Sequence, residues 1–183
     1  LAESLVVENT LSKQKKYDSL LPQILSLISG ENNAISLLSN VTAALKQTFD
    51  SFSWTGFYFL NENSAELILG PFQGKVACSR LPAGKGVCWE ALNRGETLIV
   101  NDVHKFPGHI VCDRHKFPGH IVCDSGSNSE IVIPLIYNNL KLGVLDIDSY
   151  EFNNFDEVDK LYLEKIMSNL INEITELKIF YNK

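Results

Sequence analysis

The apolar positions change period twice along the chain. From Ser12 to about Ile28, Leu20, Leu21, Ile24, Leu25, Leu27 and Ile28 recur at helical spacing, and Gly30 stops the run. Pro22 lies inside it. Because proline removes a backbone donor and its ring clashes with the preceding turn, the pattern predicts a fresh helix start near Asp18 or Ser19. A second stripe, through Ile35, Leu37, Leu38, Val41, Ala44 and Leu45, predicts a helix from about Asn33 to Phe49. Together the two predict a helical layer or a dimerising arm. The period then shortens to that of strands. "SWTGFYFL" (53–60) and "AELILGPF" (65–72) flank the turn-forming "NENS", as in a hairpin. Shorter strands are expected at "GKVACS" (74–79) and "ETLIV" (96–100), on either side of a helical piece from Gly86 to Asn93. "EIVIPLIY" and "KLGVLDID" are joined by Asn138-Asn139, a pair suited to a tight turn, and predict a central hairpin. The last segment predicts a helix capped by Asp156, with Val158, Leu161, Ile166, Leu170 and Ile174 as its apolar stripe.

These elements predict an α+β fold, an antiparallel sheet of about six strands flanked by helices. A chain of 183 residues, 45% of them hydrophobic, supports one compact core. Residues 1–30 are expected to form an N-terminal helical segment and 31–183 a single domain. From Asn101 to Ser129 no period holds, and a loop of that length inside a compact domain usually carries function.

Charge narrows the partners. A formal net charge of -6 opposes a nucleic-acid partner, since affinity for a phosphate backbone rests on clustered Lys and Arg displacing counterions. Lys13, Lys15 and Lys16 form the one basic cluster, which reads as a solvated helix face. No run of 18 apolar residues and no secretory pattern is present, so a cytoplasmic protein without a membrane partner is expected. In a reducing compartment, Cys78, Cys88, Cys112 and Cys123 point to catalytic, redox or metal roles rather than to a disulfide framework.

The candidate chemistry gathers around that unpatterned segment. Asp146 and Asp148 stand two apart in a strand, so the pleat sends both carboxylates out of one face. The apolar Val144, Leu145 and Ile147 around them mark the strand as central. If the strand starting at Glu130 pairs through the Asn138-Asn139 turn, Glu130 joins them. Three carboxylates in one pocket repel and require a cation, either an alkylammonium or a metal. Trp54 and Tyr58, four apart in a strand, also share a face; such residues mostly serve a core, but beside carboxylates they would wall a small cationic or methyl-bearing ligand. "GKGVC" lacks the ending of a phosphate loop, and its glycines read as turn residues.

One segment is written twice. "HKFPGHIVCD" occupies 104–113 and again 115–124, separated by Arg114. His109, Cys112, His120 and Cys123 form two H-x-x-C pairs, which offer the four ligands of a tetrahedral zinc site, although the spacing is unusual. A thiol there becomes a nucleophile only if a base or a donor lowers its pKa, and neighbouring carboxylates do the reverse.

The ordered motifs "GPFQGKVAC", "GKGVC", "DVHKFPGHIVCD", "SNSEIVIP" and "GVLDIDS", spread over roughly residues 50–170, closely resemble the free methionine-(R)-sulfoxide reductases, small enzymes built on a GAF domain. That resemblance implies a GAF-like fold for 31–183 and no cofactor or metal. It implies thiolate attack on the sulfur of free methionine (R)-sulfoxide, a cysteine sulfenic acid, a disulfide and regeneration by thioredoxin. It makes the cysteine of "GHIVCD" the nucleophile, Cys78 and Cys88 the resolving or recycling thiols, Glu130, Asp146 and Asp148 the substrate-binding acids, and Trp54 and Tyr58 the aromatic wall. Family precedent also implies a homodimer. Trp89, directly after Cys88, departs from the small residue usual there and would hinder or redirect Cys88.

Removing one copy of the repeat restores the family's usual line, and matching alone does not select the copy. The tether does. Cys123 is seven residues from Glu130, and an upstream insertion bulges outward at a loop-closure cost of about 0.6 kcal/mol per doubling. Cys123 is therefore the expected nucleophile, Cys112 the alternative, and residues near 104–114 the displaced loop. The competing reading is a non-catalytic GAF module that senses a small ligand or redox state, with zinc in the duplicated loop. Cys78 and Cys88 beside an acidic pocket favour the enzyme.

Overall fold

A computed structural model describes residues 5–61, 63–106 and 126–174 of the chain. Its helices are α1 (Lys13–Ile28), α2 (Ala34–Thr48), α3 (Gly86–Arg94) and α4 (Glu157–Ile174). Its strands are β1 (Trp54–Asn61), β2 (Glu66–Gln73), β3 (Arg80–Pro82), β4 (Leu98–Val100), β5 (Ser129–Tyr137) and β6 (Leu140–Ser149). They form one antiparallel sheet in the order β3-β2-β1-β6-β5-β4. The expected α+β architecture is therefore present, and β6 is central. Asn138 and Asn139 both take positive φ, 48° and 64°, the geometry of a two-residue turn whose twist matches its flanking strands.

The two faces of the sheet carry different work. Phe57, Phe59, Ile131, Ile133, Leu145 and Ile147 face a core closed by α1, α2 and α4. The alternate residues Trp54, Tyr58, Val132 and Val144 face a second, smaller cluster with Val87, Ala91 and Leu92 of α3. Strand periodicity separates these sets, because successive side chains leave opposite faces.

Three local expectations need correction. The first helix does not restart near Asp18 but runs unbroken through Pro22. Tyr17, Leu20, Ile24 and Ile28, on both sides of the proline, are all buried in one core, and that burial offsets a defect of about 3 kcal/mol. Residues 74–79 are not a strand, and the ladder forms later, at β3. Their backbone is held instead by aromatic side chains, described below. Leu161 and Ile35 lie outside the apolar stripes, about half exposed or more, while Tyr162, Leu163 and Met167 take the buried places on α4.

A polar clasp joins α1 to α4. Asp159 is fully buried and accepts from the Tyr17 hydroxyl (2.9 Å), from Lys13 and from the backbone N–H of Asp156 (2.9 Å). Asp156 caps α4 by accepting from Val158 N–H at 2.7 Å, as expected from the sequence. Among the described residues no helix is long and apolar enough to cross a membrane.

Candidate active site

Strand register brings the acids together. Across the sheet, Trp54 lies opposite Asp148 and Asp148 opposite Glu130; one step along, Gly56 lies opposite Asp146 and Asp146 opposite Val132. Directly paired residues share a face, so Trp54, Glu130, Asp146 and Asp148 all point to the side covered by α3. Glu130 and Asp146 are buried, whereas Asp148 is half-buried. They line a cavity of about 110 Å³ with Trp54, Tyr58, Cys78, Lys85, Cys88 and Ser127. That volume is small against the range of drug-sized pockets and suits one amino-acid-sized ligand.

The aromatic wall also acts as a clamp. The Trp54 indole N–H donates to the carbonyl of Lys75 at 3.0 Å, and the Tyr58 hydroxyl donates to the carbonyl of Cys78 at 3.0 Å. These bonds replace a sheet ladder over 74–79 and fix the segment that carries Cys78. The indole packs closely over two glycines. A Cβ on Gly56 would stand 2.3 Å from its ring, and one on Gly74 would stand 2.7 Å from it, so both positions admit only hydrogen. The sequence reading missed these two residues. A glycine between aromatics in a strand was the available signal, since it marks a bulge or a close approach, and the register of β1 against β2 does shift between Gly56 and Tyr58. Lys85 and Ser127 were also missed, as neither stands in a pattern that separates it from an ordinary loop residue.

Cys78 and Cys88 enter the pocket in different states. Cys78 is disulfide-bonded. Cys88, in the first turn of α3, is a free thiol, 5% exposed, with its sulfur 3.4 Å from Asp146 Oδ2 and 4.0 Å from Glu130 Oε1. Burial, reinforced by Asp146 and Glu130, pushes its pKa well up and keeps it protonated. Burial also raises Glu130 well above the carboxylate range, with Asp146 and Asp148 adding to it. Asp146 rises to about 6, because burial outweighs the hydrogen bonds it receives from Glu130 and Cys88. The other oxygen of Asp146, Oδ1, is buried with no hydrogen-bond partner among the described residues.

The sulfur of Cys88 and a carboxylate oxygen each from Glu130 and Asp146 lie within 4.8 Å of one another. One thiol and two carboxylates this close together make a buried electronegative cluster that suits a cation. Trp89 is not among the residues lining the cavity, and its indole donates to the Leu81 carbonyl at 3.1 Å, tying α3 to β3. Of the doubled segment, His104 to Phe106 is described. Asp102 accepts from His104 N–H, and the His104 ring lies 3.1 Å from Asn128 Oδ1. His109, Cys112, His115, His120 and Cys123 lie outside the described residues, and with them the nucleophile and the zinc ligands expected from the sequence.

Residues 32–171 match the family model described as GAF domain. The chain is 48% identical to GAF domain-containing protein A of Dictyostelium discoideum, over 94% of this chain and 100% of that protein. It is 38% identical to the free methionine-R-sulfoxide reductase of Escherichia coli, over 93% of this chain and 97% of that one. Its fold is similar to the X-ray structure of free methionine-R-sulfoxide reductase from Neisseria meningitidis in complex with its substrate, with a TM-score of 0.83, 39% identity, and coverage of 94% of this chain and 96% of the other.

Proposed function

The chain belongs to the free methionine-R-sulfoxide reductases of the GAF-domain family, and on that footing we propose that its pocket reduces free L-methionine (R)-S-oxide to methionine. The observation that carries this reading is the set of three carboxylates, Glu130, Asp146 and Asp148, on one sheet face beside the Trp54–Tyr58 wall and the redox-paired Cys78. A free amino acid presents an ammonium with three donors and a positive charge. A peptide-bound residue presents a single neutral N–H and would leave a buried carboxylate unpaired. Asp146, which lines the cavity beside Glu130 and Asp148, is the carboxylate assigned to accept from the ammonium.

A cysteine thiolate attacks the sulfoxide sulfur while a protonated carboxyl of the cluster supplies a proton to the oxygen. Methionine departs and the cysteine becomes a sulfenic acid. A second thiol condenses with it, releasing water and forming a disulfide, which a dithiol reductant of the thioredoxin class reopens. We assign Cys123 as the nucleophile, with Cys112 the alternative, and Cys78 as the resolving thiol. Cys78 is held at the pocket by Tyr58 and is disulfide-bonded, whereas Cys88 is buried, free and protonated. A homodimer in the cytoplasm completes the proposal.

Single Cys112→Ser, Cys123→Ser and Cys78→Ser variants test the assignment. Loss of methionine formation in Cys123→Ser and one methionine per chain without recycling in Cys78→Ser are expected. Activity lost in Cys112→Ser and retained in Cys123→Ser would overturn the choice of copy. No turnover of free methionine (R)-sulfoxide by folded, reduced protein would leave a ligand-sensing GAF module in its place.

A further inference from the structure

Cys88 has no place in the redox sequence above, yet it is a buried side chain of the pocket that carries a proton. A protonated thiol has one hydrogen to give. Its nearer acceptor is Asp146 Oδ2, at 3.4 Å, and the farther is Glu130 Oε1, at 4.0 Å. Asp146, which lines the cavity, thus receives a donor from α3 as well as one from Glu130. Resting on the reductase reading, we infer that Cys88 is a positioning residue: its thiol fixes Asp146 as the ionised, ammonium-facing carboxylate and leaves the resting proton of the pair on Glu130.

The surroundings agree with this division. The titratable groups facing Asp146 are Glu130 from β5, Asp148 from β6, Tyr58 from β1, Cys88 from α3 and Lys85 at the N-cap of α3. Two hydrogen bonds favour the Asp146 anion, whereas burial, Asp146 and Asp148 all favour the neutral form of Glu130. A hydrogen bond donated to a charged group is the strong kind, and removing it from a buried anion returns the full loss. The same position one turn away, or a side chain without a donor, would leave two coupled acids competing for one proton. Cysteine serves here because burial suppresses its own ionisation and keeps the hydrogen it donates.

The test uses the full chain, reduced, with Cys88→Ala, Cys88→Ser and Glu130→Gln. Infrared titration without substrate should show an S–H stretch in the wild type that Cys88→Ala lacks, and a protonated carboxyl near neutral pH that Glu130→Gln lacks. In Cys88→Ala the Asp146 transition should move up by about one pH unit, and KM for free methionine (R)-sulfoxide should rise about tenfold with the acid limb of the pH profile moving in step. Cys88→Ser, which keeps a donor, should recover most of both. An unmoved titration in Cys88→Ala overturns the inference, as does a serine variant that behaves like alanine or a wild-type S–H band that loses no intensity in Cys88→Ala. If the infrared shifts occur in a protein that never turns over the sulfoxide, the reductase reading fails while the proton assignment stands.

Discussion

Asp146→Asn should make the protein more stable and less able to bind its ligand. Asp146 is 7% exposed and its pKa is raised from 3.8 to about 6, chiefly by burial. For an acid, a raised folded-state pKa means that the folded protein holds its proton more tightly than the unfolded chain does. No penalty exists below pH 3.8. The penalty grows as the unfolded chain ionises first, and it is complete once the pH passes the folded value near 6. At 1.36 kcal/mol per pKa unit the full penalty is about 3 kcal/mol. An amide is isosteric, still accepts from Cys88 and Glu130, and carries no charge to desolvate. In a domain of this length, 1 kcal/mol moves the melting temperature by about 2–4 °C, so the variant should melt about 6–12 °C above wild type at pH 7.5. The gap should close as the pH falls to 4. The assay is a pair of calorimetric or urea-denaturation series between pH 4 and pH 7.5 on reduced protein. Equal stabilities at pH 7.5, or a difference that does not shrink with acid, would refute the claim that this carboxylate is held buried and ionised at a cost.

Two further substitutions probe the scaffold. Gly56→Ala places a methyl 2.3 Å from the Trp54 ring and 2.5 Å from Phe72 Cβ, so the indole must leave its place over β1. The expected loss is about 1–3 kcal/mol of stability with a KM rise of about tenfold or more, read by thermal melting and by the quenching of Trp54 fluorescence on adding ligand. Asp159→Ala strips the α1–α4 clasp of its acceptor and leaves the Tyr17 hydroxyl and the Lys13 ammonium without it. A loss of about 3–5 kcal/mol is expected in denaturant titration, accompanied by faster hydrogen exchange along α1.

Much of the site was legible because strand geometry is local. Two aspartates at i and i+2, and a turn of two asparagines, placed Asp146, Asp148 and Glu130 on one face before any coordinate was known. What stayed hidden depends on contacts distant in sequence. Pro22 argued for a helix break, and only the shared core beneath both halves of α1 outweighs it. Residues 74–79 have the composition of a strand, but the donors that hold them come from Trp54 and Tyr58. The two thiols "KVAC" and "GVC" look alike in sequence. Burial against carboxylates distinguishes Cys88 from Cys78, and no spacing encodes it.

The most direct test of the account compares free methionine (R)-sulfoxide with N-acetylmethionine (R)-sulfoxide, which keeps the reacting sulfoxide and removes the ammonium. NADPH oxidation is followed in the presence of thioredoxin and thioredoxin reductase. The carboxylates predict turnover of the free amino acid and discrimination against the acetylated one by a factor on the order of 10⁴ in kcat/KM. Equal rates for the two would contradict it.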